Sequence, residues 1–327
     1  MNLTPINKAG GVEGFCIIKS LEKKVTAKGL PYLDLVLTDA HGEMTAKFWD
    51  YKEDLHAKYA AGQLIRVRGT LNEYNGIEQL RVEKIRPVVE SDEVDINDFV
   101  PGAEYSGEAM LAEIYTVVNS FKDEPLKQLI TAILDERKDK LLYWPAAFKL
   151  HHAMRGGLLY HTLSILRLAQ GLCKIYPFVD HDLLFAGVVL HDIAKTQEFE
   201  VEDTGIVSGY TTDGNLVGHL VRGAMAVERI GSKLGTPKEL MMLLEHMIIS
   251  HHGEPEFGAA VRPMFLEAEI LAQLDMMDAR IYAIAQAVEA VDGGEFTVRQ
   301  WSLDNRKLYN HARGASSEPK ANLMDKK

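Results

Sequence analysis

From Phe15 to Val88 apolar and polar positions alternate with a period near two, and β-branched and aromatic residues are broken by turn signals. The runs FCIIKSLEKKVTAKG, YLDLVLTD, EMTAKFWD, QLIRVRGTLNEY and EQLRVEKIRPV read as five successive strands. AKGLP, DAHG and EYNG separate them, and Asn75-Gly76 is a hairpin signal because both residues tolerate positive φ. Between the third and fourth strands, YKEDLHAKYAAG predicts one short helix. From Gly107 to about Glu289 the period lengthens to about 3.6 residues. LAEIYTVVNSF, LKQLITAILDE, GLLYHTLSILRLAQGL, LLFAGVVLHDIAK, LVGHLVRGAMAVERIGSKL and ELMMLLEHMIISHH are predicted helices, with few strand candidates between them.

Five strands with a helix after the third match an oligonucleotide-binding (OB) barrel. The expected fold is therefore multidomain: a small all-β OB barrel followed by an all-α helical bundle. The barrel is placed at 12–90, an acidic linker interrupted by Pro101 and Gly102 at 91–106, the helical domain at 107–313, and a polar, mobile tail at 314–327. A length of 327 residues suits two separate cores.

Composition narrows the function classes. The longest apolar stretches, such as Leu183 to Leu190, fall far short of the roughly 20 residues a bilayer span needs, and Met1 to Gly11 has no cationic start with an apolar run. No membrane association is expected, and the location expected is cytoplasmic. Cys16 and Cys173 lie far apart among apolar neighbours, which argues against a disulfide framework or a thiolate zinc site. A net charge of −11 argues against a protein that coats nucleic acid through general cationic attraction, so any such contact must be local.

The informative polar residues sit where helices should be apolar. His161 has Leu158, Ile165, Leu168 and Leu172 on its face; His191 has Leu184 and Val188; His219 has Leu216, Ala226 and Ile230; His251 has Leu244, Met247 and Ile248. Asp192 follows Phe185 and Val188, and Asp275 follows Ala268, Leu271 and Ala272. A lone inward histidine is ordinarily a core residue bonded to a carbonyl, and a lone inward aspartate an ion-pair member. Several helices each turning His or Asp inward are better explained by one shared metal site, because separate burial would multiply the desolvation penalty. Imidazole and carboxylate without thiolate suit manganese, iron, cobalt or nickel as well as zinc.

In order, His161, His191-Asp192, His219, His251 and Asp275 resemble the H…HD…H…H…D signature of the HD-domain phosphohydrolases. With GGLLYHTLSILRLA, LLFAGVVLHDIAK, GHLVRGA, HMIISHHGEPEFGA and EAEILAQLDMMDAR behind an OB barrel, the chain resembles the YhaM-type 3′→5′ exoribonucleases of bacteria from about Phe15 to Arg313. The resemblance implies two divalent ions, manganese being favoured. One would be held by His161, His191, Asp192 and Asp275, the other by Asp192, His219 and His251, with His252 a ligand or a residue that orients one. It further implies hydrolysis of single-stranded RNA, with DNA as the alternative polymer, to nucleoside 5′-monophosphates. Asp192 would fix the metal spacing, and Lys195 would contact a phosphate or stabilise developing charge.

Two other readings compete. The same cluster could hydrolyse nucleotides or cyclic dinucleotides, although Gly253-Glu254-Pro255 lacks the GYP motif of the latter group. A non-catalytic RNA-binding protein would have lost ligands, whereas here every expected His and Asp is present. For substrate contact the candidates are Arg155 before Gly156-Gly157, the aromatic residues Tyr32, Phe48, Trp49, Tyr51 and Tyr74, and the cations Arg66, Arg68, Arg81, Lys84 and Arg86. About half of the aromatics should be core, Phe48 and Trp49 pointing opposite ways. Asp278 and Arg280 are expected to pair with each other or brace Asp275, and His246 to pack or support the site. A homo-oligomer is expected, with Met241 and Met242 serving an interface or a core.

Overall fold

The computed structural model describes residues 3–6, 10–39, 42–53, 59–74, 76–94, 96–99, 102–103, 105–148, 154–202 and 204–313. The described chain forms two compact units, Met1–Gly102 with Phe199–Gly209, and Ala103–Glu198 with Tyr210–Lys327.

The first unit is built on strands β1 (Gly11–Val25), β2 (Pro31–Asp39), β3 (Gly42–Phe48), β4 (Leu64–Tyr74) and β5 (Ile77–Pro87). Their order is β1-β2-β3-β5-β4, and a β1–β4 pairing closes the barrel. All neighbours are antiparallel except β3 and β5, which run parallel, so the topology is OB-like. Alternation places Ile18, Leu35, Ala46, Ile65, Val67 and Leu80 inside, each at most 1% exposed.

β1 begins four residues before the predicted start and ends at Val25 instead of Gly29. Gly11 to Ile17 pair with β4, while Thr26 and Leu30 close a turn by a 2.9 Å backbone hydrogen bond. Asn75, residues 54–58 of the predicted short helix and the tail from 314 lie outside the described residues. Where the linker was expected, Glu90–Asp92 and Ile96–Asp98 form single 3-10 turns.

A hairpin of β6 (Phe199–Val201) and β7 (Val207–Tyr210) was not anticipated. Its strands are too short to establish a period. Residues Phe199–Gly209 group with the first unit, where the Thr204 hydroxyl donates to the Gly62 carbonyl at 2.7 Å.

The second unit is helical: α1 (Gly107–Asn119), α2 (Glu124–Leu141), α3 (Gly157–Ile175), α4 (His181–Leu190), α5 (Gly218–Leu234), α6 (Lys238–Ser250) and α7 (Leu266–Glu289). Ser106, Asp123 and Asp180 cap α1, α2 and α4, each accepting a hydrogen bond from a first-turn backbone N–H. Ile114, Leu129, Ile165, Leu184, Leu244 and Leu271 are fully buried, one from each of six helices. Close approach of α4 and α6 depends on Gly187, where an added Cβ would lie 2.1 Å from the Met247 methyl carbon. That approach matters because both helices end on site histidines. Among the described residues no helix is long and apolar enough to cross a membrane.

Candidate metal centre

Three helix ends and two helix bodies deliver the site. His161 lies in the second turn of α3, His191 and His251 are the C-terminal caps of α4 and α6, His219 is in the first turn of α5, and Asp275 lies within α7. Asp192 follows His191 immediately, and Lys195 opens a single turn that ends at Glu198. His161, His191, Asp192 and His251 are each no more than 2% exposed. Leu216, expected on the face of His219, instead precedes α5 and is 80% exposed.

The imidazoles of His161, His191, His219 and His251 are each oriented through Nδ1. His191 and His251 donate to the Val188 and Ile248 carbonyls at 2.7 and 2.8 Å, while His161 and His219 meet the carboxylates of Asp278 and Glu198 at 2.8 Å each. With Nδ1 so engaged, the Nε2 of each of these four rings faces the cluster. His191 Nε2 lies 3.3 Å from His161 Nε2 and 3.4 Å from Asp192 Oδ2. His161 Nε2 is 3.0 Å from Asp275 Oδ1. On the other side, Asp192 Oδ1 is 3.4 Å from His219 Nε2 and 3.6 Å from His251 Nε2.

These groups are nearly all acceptors, and some have nothing to accept from. Asp192 Oδ1, His219 Nε2, His251 Nε2 and His252 Nδ1 are buried without a hydrogen-bond partner among the described residues. Buried orphan acceptors are unfavourable by about 1–3 kcal/mol each, more when charged, so their convergence calls for a cation. Three sets bring one ligand atom each within 4.8 Å of one another: His219, His251 and His252; His161, His191 and Asp192; His191, His251 and Asp275. The donor set fits a divalent metal.

Electrostatics agree with that fit. Burial would lower the His161 imidazole, but hydrogen bonds to Asp275 and Asp278 push it up to about 10. A place that draws a proton between two carboxylates draws a metal cation for the same reason. Burial pulls His251 below its ordinary value, and burial with the neighbouring His251 takes His252 down to about 3, leaving both neutral and able to donate a lone pair. Burial would raise Asp192, yet Lys195 and His191 hold it well below the usual carboxylate range. Lys195 Nζ donates to Asp192 Oδ2 at 2.6 Å.

The Asp192–Lys195 turn is itself clamped by residues that the sequence pattern did not single out. The Trp144 indole donates to the Lys195 carbonyl at 2.8 Å, Arg137 donates to the Thr196 hydroxyl at 3.0 Å, and Lys140 to the Thr196 carbonyl at 3.2 Å. The Trp144 carbonyl accepts from Leu158 N–H at 2.9 Å, so one residue ties this turn to the start of α3. Glu198 was also missed, and nothing in helical periodicity marks it.

Other expectations need correction. Asp278 holds His161 rather than Asp275, and Arg280 pairs with Asp304 at 3.0 Å. His246 Nε2 accepts from Met264 N–H at 3.0 Å and packs by Phe265, apart from the ligand sets. Arg155 lies over the Tyr143 ring, 5.3 Å from its centroid. Phe48 is 3% exposed in the barrel core and offers no face to a base, while Trp49, pointing oppositely, is 42% exposed. Trp49 stacks on Tyr32 at 4.4 Å with Lys47 above both rings. Tyr51 is core, and the Tyr74 side chain lies outside the described residues. Arg66 is in an ion pair with Glu13 at 2.9 Å, whereas Arg68 is exposed.

The HD domain family matches residues 158–280, which enclose every residue of the cluster. A protein named 3'-5' exoribonuclease YhaM from Listeria monocytogenes serotype 4b is 38% identical over 91% of this chain and 95% of its own. The proteins of that name from Bacillus pumilus and Bacillus subtilis strain 168 are each 36% identical, covering 90% and 91% of this chain and 92% and 94% of theirs. Among solved structures, a replication protein A heterotrimer bound to ssDNA aligns with 26% of this chain and 62% of its own at 17% identity and a TM-score of 0.22, a likeness too slight to bear on function.

Proposed function

This chain belongs to the YhaM family of 3'-5' exoribonucleases, and from that premise we propose that it shortens single-stranded RNA from the 3′ end, releasing nucleoside 5′-monophosphates. The observation that carries the chemistry is the convergence of orphaned lone pairs on Asp192 Oδ1, His219 and His251 beside the His161, His191 and Asp275 set. Two ions, manganese foremost, would be held there: one by His161, His191, Asp192 and Asp275, the other by Asp192, His219, His251 and His252.

Divalent cations so held supply Lewis acidity, making water a competent nucleophile at neutral pH and neutralising phosphoryl charge. Asp192 suits a bridging role because Oδ1 faces His219 and His251 while Oδ2 faces His191 and Lys195. Asp278 and Glu198, by holding Nδ1 of His161 and His219, leave Nε2 as the nitrogen that faces inward, where a metal would be met. The Lys195 ammonium stands beside the Asp192 carboxylate, where it can meet a phosphoryl oxygen as charge develops. Polymer contact is assigned to the barrel, with the exposed Trp49–Tyr32 stack and its Lys47 as a platform for a base. Assembly as a homo-oligomer belongs to the same proposal; Met242, 58% exposed, is available to an interface, whereas Met241 is core.

The test uses protein stripped of metal and resupplied with manganese, a 5′-labelled RNA strand, an equal-length DNA, and Asp192→Ala as control. A ladder of shortening products, absent with Asp192→Ala, is expected. Intact RNA alongside hydrolysis of mononucleotides or cyclic dinucleotides would overturn the proposal.

A further inference from the structure

The outer face of β4 and β5 carries cations arranged against the interest of folding. Arg66 stands opposite Arg86, and Arg68 opposite Lys84, in the antiparallel ladder. Like charges directly opposite one another destabilise a sheet. Exposed Lys and Arg on strands commonly guard a free edge. That account fails for Arg66 and Arg68, because β4 is hydrogen-bonded there to β1 on one side and β5 on the other.

Two of the four cations are neutralised locally. Arg66 has Glu13 at 2.9 Å, and Arg86 makes a two-pronged bond to Asp92 at 2.7 Å. No carboxylate among the described residues pairs with Arg68 or Lys84.

A β-bulge creates this unpaired couple. The register passes from Gly69↔Val82 to Arg68↔Lys84, which leaves Glu83 as an extra residue on β5. In an unbroken ladder Glu83 would stand opposite Arg68 and neutralise it. Instead the bulge turns Glu83 aside to accept from the Thr70 hydroxyl at 2.9 Å, and sets Lys84 in its place. Gly69 is what allows the bulge, since a Cβ there would lie 2.2 Å from the Arg81 carbonyl oxygen. Arg68 and Lys84 open onto a groove of about 550 Å³, which is also lined by Phe48, Asp50 and Lys52. Five cations and three carboxylates line it, a local positive excess in a chain of net charge −11.

We infer that Arg68 and Lys84 form a phosphate seat for the backbone of single-stranded RNA on the β4–β5 face, created by the Glu83 bulge. The inference rests on the exoribonuclease reading. Bases need not be read there; two cations without counter-ions meet the oxygens that every nucleotide presents.

The experiment compares the unmodified chain with Arg68→Gln/Lys84→Gln, both loaded with manganese, on a long RNA strand and on a dinucleotide. The dinucleotide has one internucleotide phosphate, and that one is at the reacting centre. KM for the long strand should rise on the order of tenfold, and the slope of log affinity against log salt should fall by about 1.4, or about 0.7 per lost phosphate contact. Turnover of the dinucleotide should not change. Equal losses on both substrates, or an unchanged KM and salt slope on the long strand, would overturn the seat. If the unmodified protein hydrolyses no RNA, the exoribonuclease reading fails instead. Fluorescence anisotropy of the long strand on metal-free protein then still decides the seat, by whether the double substitution weakens binding and flattens the salt slope.

Discussion

Replacing Lys195 with methionine deletes a buried charge while keeping most of the volume of its stem. Lys195 Nζ lies 2.6 Å from Asp192 Oδ2, and the two side chains are 13% and 3% exposed. Burial would lower the ammonium, yet Asp192 holds it above its ordinary value, as Lys195 in turn helps hold Asp192 down. Removing one member of such a pair leaves the other uncompensated, at a loss of about 3–5 kcal/mol. For a domain of this size each kcal/mol moves the thermal midpoint by about 2–4 °C, so in chelator the helical unit should melt roughly 6–20 °C lower. A divalent cation among His161, His191, Asp192 and Asp275 would neutralise the same carboxylate. With manganese in excess the stability loss should therefore shrink to about 1 kcal/mol, the size of a volume-conserving core change. Differential scanning calorimetry of both proteins, each in chelator and in manganese, reads the four midpoints. A loss of equal size in both conditions would refute the idea that the cation and Lys195 serve one carboxylate.

Three further outcomes follow from the same geometry. Asp278→Asn and Glu198→Gln each loosen an imidazole that they now orient, and should weaken manganese binding by roughly 10–100-fold without unfolding the helical unit, as read by metal titration and circular dichroism. Trp144→Phe keeps the packing but strands the Lys195 carbonyl; stability should fall by about 1 kcal/mol, with kcat reduced more than KM, and an unchanged kcat would show that the clamp does not position Lys195. His246 must be neutral to accept from Met264 N–H, and burial lowers its imidazole. Its contribution to stability is thus full above the unfolded value of about 6.5 and is lost as pH falls through the lower folded value; thermal midpoints of His246→Phe across that range should fall less steeply than those of the unmodified chain.

The barrel was legible because each strand buries one face, and a period of two survives in the residues themselves, as in Leu33, Leu35 and Leu37 on β2. The His/Asp cluster was legible for a similar reason: a histidine or aspartate on an apolar helical stripe contradicts its neighbours, and His161, His191, Asp192, His251 and Asp275 each did so. Relations between segments with no period of their own were not legible. The β6–β7 hairpin was too short, and Glu198, Trp144 and Arg137 look like ordinary polar or aromatic positions until the chain brings them to His219, Lys195 and Thr196. The side chains of Arg68 and Lys84 were visible as charges, but their juxtaposition was not. It depends on a one-residue bulge, which inverts the partner of Arg68 from Glu83 to Lys84 and leaves no trace in composition. The sequence by itself thus determined which helical faces turn chemistry inward, because burial is a local property of a repeating element. Only the tertiary structure decided which nitrogen of each histidine faces the centre and which cations stand without counter-ions, because both depend on partners distant along the chain.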